Sequence, residues 1–273
     1  MKKKINTKEE IDILIEKYNN KESMQDIAKY FNVHVQTVRN RLRELNIYDE
    51  TRRNRKHHCD FTFFEDINSE EKAYWLGYIA ADGNVYSSKQ RKNYSAGSTL
   101  KIVSKDKEHL QKFKYSIQSD AEIERIVNFK GYSNGNAVYR IQIYSNKICE
   151  DLIKLGIVPN KSLILKPPKI KKEFYKDFIR GYFDGDGSIY KTKSNYGFNL
   201  VETKEMLEWV VKVLDIETNI KKDIRTGNKN TYYISIAGTN KPYKIYKKIY
   251  EDSEIYLDRK YQLYQQLKEN VEQ

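Results

Sequence analysis

The chain has 273 residues, 50 Lys and Arg against 38 Asp and Glu, and a formal net charge of +12, so a polyanion is the first partner to consider and a large plus a small domain is the natural partition. Its two cysteines, Cys59 and Cys149, lie far apart, which excludes a disulfide framework and a four-thiolate zinc site and points to a reducing compartment. No apolar stretch is long enough for a signal peptide or a membrane span, so a cytoplasmic, non-exported protein with no membrane partner is expected.

Residues 7 to about 47 read as a small helical unit. Ile11, Leu14, Ile15 and Tyr18 recur at helical spacing, and Ser23, three residues before Asp26, is placed to cap a second helix carrying Ile27, Ala28, Tyr30 and Phe31 and interrupted at Asn32. A third helix starts near Val35, with Val38, Leu42 and Leu45 on one face. Two short helices, a tight turn and a small Ala28 at the crossing resemble a helix-turn-helix. In such units the second helix enters the major groove, which makes His34, Gln36, Thr37, Asn40 and Arg41 the expected base or phosphate contacts. A three-helix bundle that binds protein is the alternative. The domain is expected to span residues 1–48.

Residues 49–60 carry a basic run without apolar periodicity, in which Arg52, Arg53 and Arg55 suit a phosphate backbone. The cluster His57, His58, Cys59 and Asp60 has no second, distant ligand pair, so it reads as a polar tether rather than a zinc site.

Beyond Phe61 the chain repeats itself. The segment from Tyr74 to Gly83 (YWLGYIAADG) returns from Phe178 to Gly187 (FIRGYFDGDG), and each copy is followed by the same order of signals. After the first come strands at 85–89 and 100–103, a helix at 105–117, strands at 123–129 and 138–144, and a helix at 147–155. After the second come strands at 189–193 and 198–202, a helix at 204–214, strands at 220–225 and 232–237, and helices after Lys241. Residues 61–165 and 166–273 are therefore expected to form two pseudo-symmetric αββαββα half-domains, and the chain as a whole to be α+β.

As helices, the repeated segments put Gly77 and Ala81 on one face and Gly181 and Gly185 on the equivalent one, so that two backbones are able to meet. Glycine inside a helix costs about 0.5–1 kcal/mol relative to alanine, and contact between the two helices supplies the reason for it. Asp82 and Asp186 follow, each before a glycine expected to end its helix in the left-handed conformation. Two carboxylates at helix C-termini are disfavoured by the helix dipoles, about 0.3–1 kcal/mol each, and by each other. A hard divalent cation held by carboxylate oxygens offsets both. Two surface Asp-Gly turns that never meet are the bland alternative.

These two segments resemble the paired motifs of single-chain LAGLIDADG homing endonucleases, and the resemblance runs from about Phe61 to the C-terminus. It implies a monomer of a kind carried by mobile genetic elements, with the motif helices forming the interface between half-domains above saddle-like antiparallel sheets. It further implies Mg²⁺ or another divalent cation bound by Asp82 and Asp186, double-stranded DNA as partner, and hydrolysis of phosphodiesters on opposite strands. The first copy departs from the pattern at Trp75-Leu76 and at Ala80, which faces Asp184 in the second copy; the metal-binding acids are untouched. The family also places basic residues near the scissile phosphates, on the segment entering the last helix of each half. Lys161 and Lys260, at similar distances after Asp82 and Asp186, occupy that place, with ordinary surface lysines as the alternative.

Strand alternation suggests the reading surface. Arg140, Gln142 and Tyr144 share one face of their strand, Lys191 and Lys193 alternate with Tyr190 and Thr192, and Arg225 follows Ile224. A regulator that keeps this fold and its DNA binding without catalysis is the rival function. An intein is disfavoured, since the ends offer neither a Cys or Ser start nor a His-Asn finish.

Overall fold

The computed structural model describes residues 5–20, 22–48, 57–86, 97–127, 137–159, 161, 164–192, 195–224 and 230–272. The chain divides into two units, residues 1–54 and 55–273.

In the first unit, α1 (Lys8–Asn19) begins with a reciprocal cap. Thr7 Oγ1 accepts from Glu10 N (3.2 Å) while Glu10 Oε2 accepts from Thr7 N (3.1 Å), which satisfies two of the unpaired N–H groups at the helix start. Ser23 Oγ accepts from Asp26 N (3.1 Å) to open α2 (Met24–Tyr30). Asn32 takes the left-handed conformation (φ 51°), a geometry that asparagine tolerates well, and Val33 N returns to Ala28 O (2.9 Å) to close the turn. α3 (Val35–Glu44) then packs on α2 through Ile27, Ala28, Phe31, Val38 and Leu42, all buried together with Leu14 and Tyr18. Burying each of the large apolar side chains contributes about 1.5–3 kcal/mol to holding the three helices together.

The second unit is α+β and consists of two half-domains of the same topology. The first runs α4 (Glu70–Asp82), β1 (Gly83–Tyr86), β2 (Thr99–Ser104), α5 (Lys107–Ser116), β3 (Ile123–Ile126), β4 (Val138–Tyr144), α6 (Asn146–Lys154). The second runs α7 (Tyr175–Asp186), β5 (Ser188–Lys191), β6 (Tyr196–Glu202), α8 (Lys204–Val213), β7 (Lys221–Lys222), β8 (Tyr232–Gly238), α9 (Asn240–Tyr250), with α10 (Asp258–Glu272) added at the end. Each half carries a four-stranded antiparallel sheet, ordered β1-β2-β4-β3 and β5-β6-β8-β7. Leu100, Ile102, Ile141 and Ile143, and likewise Phe198, Leu200, Ile234 and Ile236, line one face of each sheet and are covered by helices. β5 stops short of its expected end because Thr192 and Asn195 close a turn, Thr192 N donating to Asn195 O (2.7 Å) and Asn195 N to Thr192 Oγ1 (3.0 Å). No described helix is long and apolar enough to cross a membrane.

One expectation is corrected. Gly83 and Gly187 do not end their helices in the left-handed conformation; both are extended (φ −80°, ψ 150° and φ −72°, ψ 155°), so each motif helix runs straight into a strand. Glycine is needed there for space. A Cβ at Gly83 would lie 2.6 Å from Ile79 O, and one at Gly187 would lie 2.0 Å from the Phe183 ring.

His109 on α5 is buried against Trp75 and Tyr78, with ring centroids 4.9 and 4.6 Å away. The Tyr74 hydroxyl gives its proton to Asp184, so His109 Nε2 donates to it (3.1 Å), and Nδ1 has no partner. Burial first, and then the cations Lys112, Arg259 and Lys260, push the His109 pKa down from 6.5 to about 3. The folded state therefore holds neutral histidine, and its contribution to stability is complete above pH 6.5 and is lost as pH falls toward 3. Chemical denaturation from pH 7 to pH 4 is expected to show the stability difference between wild type and His109→Phe shifting against the wild type as acid is added. A difference independent of pH would mean that the imidazole titrates normally in the fold.

Candidate active site

The two motif helices meet backbone to backbone. A Cβ at Gly77 would lie 2.0 Å from Phe178 O, one at Gly181 would lie 1.9 Å from Tyr74 O, and one at Gly185 would lie 2.3 Å from the Ala81 Cβ. Side chains cannot intervene where carbonyl oxygens occupy their volume, so α4 and α7 run in direct contact down to their last residues. Those last residues are Asp82 and Asp186.

Asp82 is half-buried and Asp186 is exposed, and the surrounding protein partly desolvates both carboxylates. Burial raises the Asp82 pKa to about 6, with the charge of Asp186 adding to it; Lys260, the Tyr78 hydroxyl and Lys161 pull the other way. Burial also raises Asp186, against the pull of Lys161 and Lys260. Among the described residues neither acid forms an ion pair. Nor does a third His, Cys, Asp or Glu complete a cluster with them. Two neighbouring, partly desolvated carboxylates with no direct ion-pair partner among the described residues fit Mg²⁺, which takes one or two carboxylates and fills its remaining positions with water and phosphate oxygens.

Lys161 and Lys260 are buried, 8% and 2% exposed, so neither is an ordinary surface lysine. Lys161 stands in a 3-10 turn on the connection that follows α6, and Lys260 sits in the first turn of α10. Both nonetheless do the same work. Lys161 Nζ donates to Gly83 O and Ala81 O (3.2 Å), and Lys260 Nζ donates to Phe183 O, Gly187 O and Asp184 O (3.0 Å). Each ammonium group thus satisfies carbonyls at the C-terminus of its own half's motif helix, where the dipole and the acid are both negative. Burial lowers the pKa of both, that of Lys260 to about 8, so that site remains cationic at neutral pH.

Several residues at the site were not singled out from sequence. Tyr78 and Tyr182 are equivalent members of the repeat, and the Gly-Tyr pair common to both copies was a usable signal. The Tyr78 hydroxyl reaches Ser104 (3.2 Å) and steadies Asp82, while the Tyr182 hydroxyl donates to Glu202, which burial pushes toward its protonated form. Asp184 is fully buried, so it neither caps a helix end nor meets solvent. It accepts from Tyr74 Oη (2.7 Å), Tyr250 Oη and Leu257 N (2.7 Å), joining α4, α7, α9 and the start of α10. Arg180, also buried, ties α7 to Glu70 of α4 (2.6 Å) and to the carbonyls of Ile249 and Ile255 (both 2.9 Å).

Of the expected DNA contacts, Gln36 and Asn40 are exposed on α3 and bonded to each other (2.8 Å), Thr37 is half-buried, and Arg41 pairs with Glu44 (2.7 Å). His34 is the N-cap of α3, its Nδ1 accepting from Gln36 N (3.2 Å), a local role that sequence reasoning did not anticipate. Arg140 and Gln142 lie on the sheet face away from the helices, Arg140 paired across strands with Glu124. Lys191 does not belong to that face. It pairs with Tyr196, whose ring is in the core, and its Nζ reaches Gln266 of α10 (3.3 Å) and the Tyr196 ring (5.5 Å). Arg52, Arg53, Arg55, Lys193 and Arg225 lie outside the described residues. His58 N donates to Asp120 Oδ1 (2.5 Å) and Cys59 is buried, which fastens that part of the tether to the first half-domain.

The family model of the LAGLIDADG-like domain matches residues 69–155 and 173–250. Two curated relatives come from Methanocaldococcus jannaschii. The replication factor C small subunit is 24% identical over 173 residues, 63% of this chain and 9% of the relative, and the DNA-directed RNA polymerase subunit Rpo1C is 29% identical over 138 residues, 49% and 15%. This chain thus spans a small fraction of the length of either relative. Among solved structures, the meganuclease I-SmaMI bound to uncleavable DNA is 15% identical over 74% of this chain and 90% of that one (TM-score 0.47). I-DmoI in complex with DNA and Mn is 16% identical over 71% and 99% (TM-score 0.44), and full-length WhiA from Thermatoga maritima is 17% identical over 78% and 65% (TM-score 0.44).

Proposed function

Because this chain belongs to the LAGLIDADG-like domain family, we propose that it is a site-specific endonuclease of double-stranded DNA that acts as a monomer, each half-domain addressing one strand. The observation that carries this reading is the convergence of Asp82 and Asp186 at the ends of two helices in backbone contact. Asp82 and Asp186 would hold the divalent cation, which when bound would supply positive charge to the scissile phosphate and make a water more acidic. Tyr78, Lys161 and Lys260 favour the ionised form of Asp82, and the two lysines also satisfy the helix-end carbonyls. Arg140 and Gln142 belong to the surface that faces the DNA grooves, and α3 of the first unit adds contacts through Gln36, Thr37, Asn40 and Arg41 in the manner of a helix-turn-helix.

Incubation with pooled genomic or randomised duplex DNA and Mg²⁺ tests the reading. Discrete double-strand breaks at a shared sequence are expected; sequence-specific retention without any break would favour a DNA-binding regulator on the same fold.

Phosphate contacts make a second prediction. Affinity for duplex DNA is expected to fall with salt at a log–log slope of about −0.9 per phosphate neutralised, measured by fluorescence anisotropy from 50 to 200 mM. An affinity insensitive to salt would remove nucleic acid as the partner.

A further inference from the structure

The two half-domains share one strand framework and differ in the side chains that it displays. β1 leaves α4 at Gly83 and β5 leaves α7 at Gly187, so Asn84 and Ser188 occupy equivalent positions just beyond the two acids. Across the first sheet Asn84 pairs with Lys101 and Lys101 with Gln142; across the second Ser188 pairs with Asn199 and Asn199 with Ser235. Their strand neighbours Leu100, Ile102, Phe198 and Leu200 are buried, which puts both rows on the face turned away from the helices.

The rows have unequal power to discriminate bases. The first offers two amides and an ammonium, of which the Lys101 and Gln142 groups are borne on long side chains. Lysine favours the guanine O6 and N7 acceptors, and glutamine or asparagine matches adenine N6 and N7 in pairs. The second row offers two hydroxyls, which bond to any base, and one short amide whose Oδ1 is shut off from solvent.

The adjacent row reinforces the contrast. Tyr86 accepts from Asn84 Nδ2 (3.2 Å), and the Lys101 ammonium lies 5.4 Å from the centre of its ring, so a single exposed aromatic holds two of the readers in place. Its counterpart Tyr190 instead lies flat on its own sheet, over Gly197, where an added Cβ would come within 1.9 Å of the ring. The residue beneath Tyr86 is Thr99, whose Cβ denies the ring that resting place.

We propose that sequence discrimination beside the cleavage position is carried by the first half-domain through Asn84, Lys101 and Gln142, while the second half-domain tolerates base changes at the equivalent positions. This rests on the endonuclease reading, which takes the open sheet face as the DNA face. The test is selection of duplexes from a randomised library by the full chain at low salt without divalent cation. It is repeated with N84S/K101N/Q142S, which gives the first row the side chains of the second, and with the reciprocal S188N/N199K/S235Q. The wild-type consensus is expected to be sharp on one side of its midpoint, where a single base-pair change lowers binding roughly ten- to hundredfold, and flat at the mirrored positions. N84S/K101N/Q142S should flatten the sharp positions alone, and S188N/N199K/S235Q should sharpen the mirrored ones. Equal sharpness on both sides, or a consensus unmoved by either exchange, overturns the asymmetry and leaves the endonuclease reading standing. Failure to retain any duplex overturns both.

Discussion

Replacing Asp82 or Asp186 by Asn is expected to abolish double-strand cleavage, by at least about a hundredfold, while DNA binding stays within a few-fold of wild type. The amide keeps the shape of the carboxyl and loses the charge, so the cation has only one carboxylate left to bind. The same change is expected to leave the fold as stable or more stable. The pKa of Asp82 in the fold, about 6, lies above its ordinary 3.8, so the contribution of this acid to stability is present at low pH and lost as pH rises through 6. At pH 7.5 in EDTA the ionised pair opposes folding, and removing one charge relieves it. Cleavage on a plasmid carrying the selected site, read beside thermal melting without metal, separates the two effects. Full cleavage by either variant would end the proposed mechanism, and cleavage lost together with the fold would make the acids structural.

Gly181→Ala is expected to cost more than about 3 kcal/mol of stability in the large unit and to depress cleavage beyond that loss. Two effects compete. Alanine is the better helix former by about 0.5–1 kcal/mol. Against this, the added Cβ would sit 1.9 Å from Tyr74 O and 2.8 Å from the carbonyl carbon, and the obstacle is backbone, which cannot swing aside like a side chain. The helices must part, and with them Asp82 and Asp186. Gly77→Ala meets Phe178 O at 2.0 Å from the other side and should behave alike. Both tryptophans, Trp75 and Trp209, lie in the large unit, so urea unfolding followed by tryptophan fluorescence reports this unit alone. Stability equal to or above wild type in both variants would mean that the helices are not in contact as described.

The repeat was the most legible feature of the chain. Local spacing decides which residues share a helix face, so Gly77, Ala81, Gly181 and Gly185 were recognisable as a contact surface and Asp82 and Asp186 as its end. The order of strands and helices in each half was equally legible from alternation and helical spacing, and β4 ends where its pattern ends. Less was legible where a residue's surroundings come from distant parts of the chain. Asp184 gave no clue to its partners, because Tyr74, Tyr250 and Leu257 are brought to it from three other segments. Lys191 alternates with Tyr190 as a reading residue would. The strand parity was right, but which side faced outward depended on where α10 packed.

The sequence by itself determined that the chain contains two equivalent units, that their glycine-bearing helices suit close pairing, and that an acid closes each. All of these follow from periodicity, a property of neighbours in the chain. Only the tertiary structure decided what environment those acids meet. It buried Lys161 and Lys260 beneath the helix ends, gave Tyr78 to Asp82 and Tyr182 to Glu202, set Gly83 and Gly187 in extended conformations, and laid Tyr190 on Gly197 while leaving Tyr86 exposed beside Asn84 and Lys101. Desolvation, Coulomb interaction and steric exclusion depend on distance through space, and distance through space is what a linear pattern does not contain.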